Sequence, residues 1–217
     1  MPICFDLDGT LGHFGGGYTL LREALGELWG GEPGSEELRR CAGSTDWEIV
    51  EELHRNRFGR DLEEAHYLEF QEACLSRFEG AFPPGASGHA VFTGPLGALR
   101  GLRARGFSVA IVSGNAPRLL DFKLERLGVP PEVPRIGSLP RLSRSALLLR
   151  MVAGCRGPHA YLGDRPHDAE AAQAAGIPFV GVGDRVPGDH PVLPEAADPE
   201  AFLQVLAPGL SGLRIRQ

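Results

Sequence analysis

An apolar run, Pro2-Ile3-Cys4-Phe5, leads directly into Asp6-Leu7-Asp8-Gly9-Thr10-Leu11. A short apolar segment ending in two carboxylates and a glycine predicts a buried strand of a parallel sheet that turns sharply into a loop at its C-terminal end. Side chains two apart on a strand project to the same side, so Asp6 and Asp8 leave one edge of the sheet together. Two carboxylates held so close repel unless a cation or a proton is shared between them. Open α/β sheets bind ligands beyond the carboxyl ends of their strands, which makes this strand end the expected seat of chemistry. An isolated Asp-Gly is ordinary turn chemistry; the weight here comes from the pair and from the motifs further along the chain.

The rest of the chain has two textures. After a glycine-rich stretch (Gly12-His13-Phe14-Gly15-Gly16-Gly17), helical spacing runs almost unbroken from about Tyr18 to Phe82, with helices expected at 20–29, 35–41, 46–58 and 62–78. Asp46 is the expected N-cap of the third. The segment 82–88, with Pro83-Pro84-Gly85, breaks the pattern. Beyond it strands are expected at 107–112, 160–162 and 179–182, and helices at 96–105, 117–127, 143–152, 167–175 and 199–207. Strand–helix alternation implies an α/β, doubly wound parallel sheet. The helical block after the first strand then reads as an inserted α-helical cap, residues 13–84, on a core of residues 1–12 and 85–217. The two passages between them, 12–17 and 82–88, are the expected hinges.

Composition removes several function classes. The chain has 217 residues, 42% hydrophobic, enough for a packed core, and no unbroken apolar run of membrane-spanning length. No basic leader or cleavage site follows Met1, so a cytoplasmic protein is expected. Cys4, Cys41, Cys74 and Cys155 are scattered, without zinc or redox spacing, and read as reduced structural cysteines. A net charge of −6 without basic clusters argues against a nucleic-acid partner. Of the 22 basic residues, only Lys123 is a lysine.

Three expected strand ends carry polar chemistry together: Asp6/Asp8, Ser113-Gly114-Asn115, and Gly163-Asp164-Arg165-Pro166-His167-Asp168. Acidic residues at two strand ends make a hard oxygen site that suits Mg2+, which takes one or two carboxylates and keeps water and substrate phosphate in its shell. A serine and glycine just before a helix offer a hydroxyl and backbone amides to an anion. Singly, each has a structural explanation as cap or turn. Their joint occurrence does not.

On these three motifs, with Ala169-Glu170-Ala171-Ala172 through Gly176-Ile177 continuing the last, the chain resembles the haloacid dehalogenase-like hydrolase superfamily. The branch is the one with a helical cap inserted after the first motif, near the phosphoglycolate phosphatases, and the cap segment Gly43-Ser44-Thr45-Asp46-Trp47 resembles it more weakly. The resemblance implies a Mg2+-dependent phosphatase of a small phosphomonoester, phosphoglycolate-like or another phosphorylated metabolite, acting as a monomer or homodimer through an aspartyl-phosphate. It implies Asp6 as nucleophile and Asp8 as general acid, then base. The metal set it implies is the Asp6 carboxylate, the Asp8 backbone carbonyl and Asp164, with Asp168 supporting. Ser113 and the Gly114 amide would hold phosphate oxygens, with Thr10 and Asn115 of the same motifs on the phosphate side. The family's lysine before the last motif is replaced, with Arg141 the best aligned cation and Arg144 the alternative. Lys123 reads as a solvated helix residue. A phosphohexose mutase shares the motifs, and a catalytically weak ligand-binding relative is the reading from another class. In the cap, His13, Arg39, Arg40, Trp47 and His66 could reach a substrate, although structural or solvated roles suit them better.

Overall fold

The computed structural model describes residues 2–86, 88–153 and 160–206. Cys155, His159 and the tail 210–217 fall outside the described residues. β1 (Ile3–Phe5) and β2 (Gly12–Phe14) come first. Four helices come next: α1 (Gly17–Trp29), α2 (Ser35–Arg40), α3 (Asp46–Phe58) and α4 (Glu64–Ala81). β3 (His89–Val91) closes this insertion. The remaining elements alternate: α5 (Thr93–Ala104), β4 (Val109–Val112), α6 (Pro117–Arg126), β5 (Arg135–Ile136), α7 (Arg144–Val152), β6 (Ala160–Gly163), α8 (Pro166–Ala174), β7 (Phe179–Val182), β8 (Val192–Leu193) and α9 (Pro199–Leu206).

The main sheet runs β5-β4-β1-β6-β7-β8, and every pairing in it is parallel. Both faces are covered, which is why β1, β4 and β6 read as continuous apolar runs rather than alternating ones. Alternation survives in what each side chain meets. Ile3, Phe5, Val109 and Ile111 face one core with Leu99 of α5, Leu124 of α6 and Phe202 of α9. Cys4, Ala110, Val112 and Tyr161 face the other, with Leu147 and Leu148 of α7 and Ala172 of α8. Full burial of side chains of this size contributes about 1.5–3 kcal/mol each, before ordering entropy. β1 lies between β4 and β6, so the chain winds outward from it both ways, and the C-terminal ends of these three strands converge at the switch point.

Two local expectations change. The glycine-rich passage is not simply a loop: Gly12–Phe14 pairs antiparallel with His89–Val91. Phe14 stacks on His89 with ring centroids 5.2 Å apart and meets Phe82 edge-on at 5.3 Å. The entry to and exit from the helical block are therefore tied as one ribbon. Strands of two or three residues, such as β2, β3, β5 and β8, carry too little periodicity to be seen in sequence. Finally, Thr45 rather than Asp46 caps α3, in a capping box with Glu48: the Glu48 N–H donates to Thr45 Oγ1 at 3.3 Å, and the Thr45 N–H to Glu48 Oε2 at 3.1 Å. That leaves the Asp46 carboxylate free for another bond.

Candidate active site

Asp6 leaves β1 directly, its N–H donating to Leu162 O of β6 at 2.8 Å. The chain turns immediately after, through Gly9 at φ 87°, where a Cβ would run into the Asp164 carboxylate. Only glycine combines that backbone with that close approach. Asp6, Asp164 at the end of β6 and Asp168 in the first turn of α8 are all buried, with ligand oxygens within 4.8 Å of one another. One cation answers two of them, while Arg165 and Arg185 each lie 3.3 Å from Asp164 Oδ2. Arg144, buried in the first turn of α7, donates from Nη1 to Asp6 Oδ1 at 2.8 Å and lies 3.1 Å from Asp168 Oδ1 through Nη2. The same Nη2 is 3.0 Å from His167 Nε2. A guanidinium only donates, so that nitrogen accepts and the imidazole proton sits on Nδ1. Burial also lowers the His167 pKa.

The electrostatics come from crowding. Burial pushes the Asp6 pKa well above the carboxylate range; Asp168, Asp164 and Asp8 add to the rise, and Arg144 opposes it. Burial raises Asp164 to about 6, reinforced by Asp168 and opposed by Arg165 and Arg185. The two acids of the last motif differ in what their oxygens do. Asp168 is committed to the protein: Oδ1 accepts from Tyr161 Oη at 3.2 Å, and Oδ2 from the Arg165 N–H at 3.1 Å. Asp164 Oδ1 is buried with no hydrogen-bond partner. An orphaned carboxylate oxygen beside Asp6, in an all-oxygen donor set, fits a hard divalent cation. Asp168 is bonded to Arg144 as well, and Asp164 is the acid of the last motif with an oxygen to spare.

The carboxylate of Asp8 stands apart from that cluster. Its Oδ2 accepts from Asn115 Nδ2 at 2.7 Å and from Lys123 Nζ at 2.6 Å. Lys123 is buried, not solvated as its helical setting suggests. Asn115 and Lys123 are eight residues apart, with Leu119 between them at helical spacing, and all three line one cavity. That i, i+4, i+8 series running up α6 from a strand end was the available signal. Ser113 is buried, its Oγ accepting from Asn115 Nδ2 at 2.8 Å, so its own proton remains to donate. The Arg141 side chain is exposed, at φ 60°, and does not line the cavity; the arginine beside Asp6 is Arg144. Thr10 is buried with an unpartnered hydroxyl and also lies outside the lining.

The cavity, about 230 Å³, lies between these strand ends and the helical block. Asp6, Asp8, Ser113, Gly114, Asn115, Lys123 and Arg144 form its floor; Tyr18, Leu21, Ile49, Cys74 and Phe78 form an apolar roof, with Ser44 and Asp46 between. Of the five cap residues singled out in the sequence, His13 alone lines it. The block is fastened by hydrogen bonds donated from backbone N–H groups. Asp46 N–H donates to Gly114 O at 2.7 Å, Ala116 N–H to Asp46 Oδ2 at 2.6 Å, and Trp47 N–H to Ser138 Oγ at 2.8 Å. Burial raises Asp46 to about 6, and the Ala116 N–H opposes this. At Gly114 a Cβ would collide with Ser44 O, so the close approach of the two parts requires glycine.

Comparison with known proteins bears on this arrangement. The family described as haloacid dehalogenase-like hydrolase matches the sequence over residues 3–182. No curated protein matches the chain in sequence. Among solved structures, a hydrolase from Pseudomonas syringae superposes with a TM-score of 0.70 at 18% identity, over 96% of this chain and 98% of that one. CbbY from Rhodobacter sphaeroides, in complex with phosphate, gives 0.64 at 18% identity, over 88% and 92%. A predicted phosphoglycolate phosphatase from Haemophilus somnus 129pt gives 0.62 at 18% identity, over 90% and 94%. At these identities the likeness is one of fold.

Proposed function

The chain belongs to the haloacid dehalogenase-like hydrolase family, and from that premise we propose that it is a Mg2+-dependent phosphatase of a small phosphomonoester. The observation that carries the reading is a buried carboxylate, Asp6, at a strand end between a fixed guanidinium and the unsatisfied Asp164 oxygen. In this reading Asp6 Oδ attacks phosphorus, and the P–O bond to the alcohol breaks as Asp8 gives the departing oxygen its proton. Water then attacks the aspartyl-phosphate, Asp8 takes a proton from it, and phosphate and free Asp6 are restored. Arg144 orients Asp6 and favours its charged form. Ser113 Oγ and the Gly114 amide are placed to donate to phosphate oxygens as charge builds on them. Asp6 and Asp164, with the Asp8 carbonyl, would hold the ion, which supplies neutralisation of phosphoryl charge.

The lining also speaks to the alcohol. Among the described lining residues, 17–81 supply no lysine or arginine. The lining cations of the core are each paired: Lys123 with Asp8, Arg144 with Asp6, and Arg165 and Arg185 with Asp164. An acidic alcohol such as glycolate would meet Asp46 and apolar walls with no unpaired cation. An ester of an uncharged alcohol is favoured over a phosphoglycolate-like one. The test is phosphate release from p-nitrophenyl phosphate and from a panel of phosphorylated metabolites, with and without Mg2+. Release is expected with Mg2+, and faster for neutral alcohols. Full activity after exhaustive chelation overturns the metal dependence, and no release from any ester overturns the phosphatase reading.

A further inference from the structure

Lys123 is the chain's one lysine, and it lies in a place where a lysine is costly. A buried ammonium needs partners for its charge and its donors. Lys123 Nζ finds two: Asp8 Oδ2 at 2.6 Å and Asn115 Oδ1 at 2.7 Å. Two aromatic faces complete its surroundings, Phe78 of α4 with Nζ 5.0 Å from the ring centroid and Phe14 of β2 at 5.5 Å. The side chain therefore starts on a core helix, ends on the carboxylate of the first motif, and is covered by rings from the ribbon and the cap.

Asn115 closes a triangle. Its amide group accepts from Lys123 and donates to the same Asp8 Oδ2, at 2.7 Å. One oxygen of Asp8 is thus held by two donors, while among the described residues no hydrogen bond reaches Oδ1. A carboxylate fixed through one oxygen has its other oxygen, and its plane, set for proton transfer, and rotation costs two short charge-assisted bonds. We infer that Lys123 is a positioning residue for Asp8: with Asn115 it fixes the carboxylate so that Oδ1 faces the departing alcohol, and the rings of Phe14 and Phe78 hold the ammonium there. The inference rests on the phosphatase reading for its catalytic consequence, and on geometry alone for the contact. Two of the three N–H donors of Lys123 are committed to Asp8 and Asn115, and the rings of Phe14 and Phe78 flank the head group.

The consequence can be read from leaving groups. A p-nitrophenolate departs without help from an acid, whereas an alkoxide needs a proton in the transition state. In a covalent mechanism kcat/KM reports the steps through loss of the alcohol, so the comparison isolates Asp8 as acid. With n-propyl phosphate, Lys123→Met is expected to lower kcat/KM by about 100-fold, the lower end of what a positioned general acid supplies, and with p-nitrophenyl phosphate by less than about 5-fold. The loss should lie in kcat with KM little changed, and Lys123→Arg should recover part of it on the propyl ester. Equal losses on both esters, or a raised KM with kcat kept, would overturn the inference in favour of a structural role or a substrate anchor. A wild-type protein inactive on both esters would instead overturn the phosphatase reading. The contact itself is read without turnover: lysine labelled with 15N gives one side-chain ammonium signal in this chain. That signal should move in Asp8→Asn, and one that stays in place overturns the contact even if Lys123→Met fails to fold.

Discussion

The floor and the roof of the cavity are built on opposite plans. On the floor and just beneath it every charge is answered at close range, Asp6 and the underlying Asp168 by Arg144, Asp8 by Lys123 and Asn115, and the underlying Asp164, through Oδ2, by Arg165 and Arg185. The roof offers rings and aliphatic groups, and its own aromatics pack inward, Trp47 edge-on to Tyr67 with centroids 5.0 Å apart. The floor is rooted in parallel strands whose register is fixed on both sides of β1. The roof is fastened to it by a handful of hydrogen bonds around Asp46, Trp47 and Ser138. The difference predicts a division of labour. Changes on the floor should act on turnover and stability together, because its charges depend on one another. Changes at the fastening should act mainly on how the organic group is held.

The largest effect expected on the floor is that of Asp6→Asn. It keeps the shape and removes the attacking charge, so turnover should fall by roughly 10⁴-fold or more with the fold retained by circular dichroism. Near-normal hydrolysis of p-nitrophenyl phosphate by this variant would break the covalent scheme.

Arg144→Ala should damage both properties at once. It leaves three buried carboxylates without the cation that two of them share, and losing one partner of a buried pair costs about 3–5 kcal/mol. Denaturant melts should register that loss, and Mg2+ should return part of it. An Arg144→Ala protein as stable as wild type would mean that the floor is not an interdependent unit.

Asp164 gives a pH dependence with a definite sign. Its pKa in the folded protein is about 6 against an ordinary 3.8, so the folded state binds this proton more tightly than the unfolded state does. In metal-free protein the associated stability is complete below about pH 4 and is lost as pH rises through 6; two pKa units correspond to roughly 3 kcal/mol. Thermal melts in chelator should therefore fall between pH 4 and 7 more steeply for wild type than for Asp164→Asn. Mg2+ should raise the melting temperature at pH 7 and lose that effect near pH 4, where it competes with the proton. Parallel curves in chelator would mean that Asp164 does not carry the raised pKa, and a Mg2+ shift at pH 7 kept in full by Asp164→Asn would remove it from the metal site.

The smallest effect belongs to the fastening. Asp46→Ala leaves the buried Ala116 N–H without its acceptor, a cost of about 1–3 kcal/mol. KM for esters with larger organic groups should rise several-fold, while kcat for p-nitrophenyl phosphate changes little. If kcat collapsed for both, floor and roof would be one unit after all.

Much of the floor was legible because its residues are adjacent in sequence and strand geometry places them. Asp6 and Asp8 come directly after an apolar run, Ser113 after Val109–Val112, and Asp164 after Ala160–Gly163, so a short continuous apolar run with a glycine at or just after its end puts each at a sheet edge. The parallel α/β core and the inserted helical block arise from the same local patterns. The sequence did not determine which cation meets which carboxylate. Arg141 and Arg144 are three residues apart, and only the structure shows that Arg141 stays exposed in the turn before α7, at φ 60°, while the docking of α7 against β4 and α8 buries Arg144. Lys123 looks like any polar residue in the last turn of a helix until α4 and β2 close over it with Phe78 and Phe14. Local periodicity fixes where a side chain starts; its charge partner is fixed by long-range packing, because a buried ion is stable only where another element supplies its counter-charge.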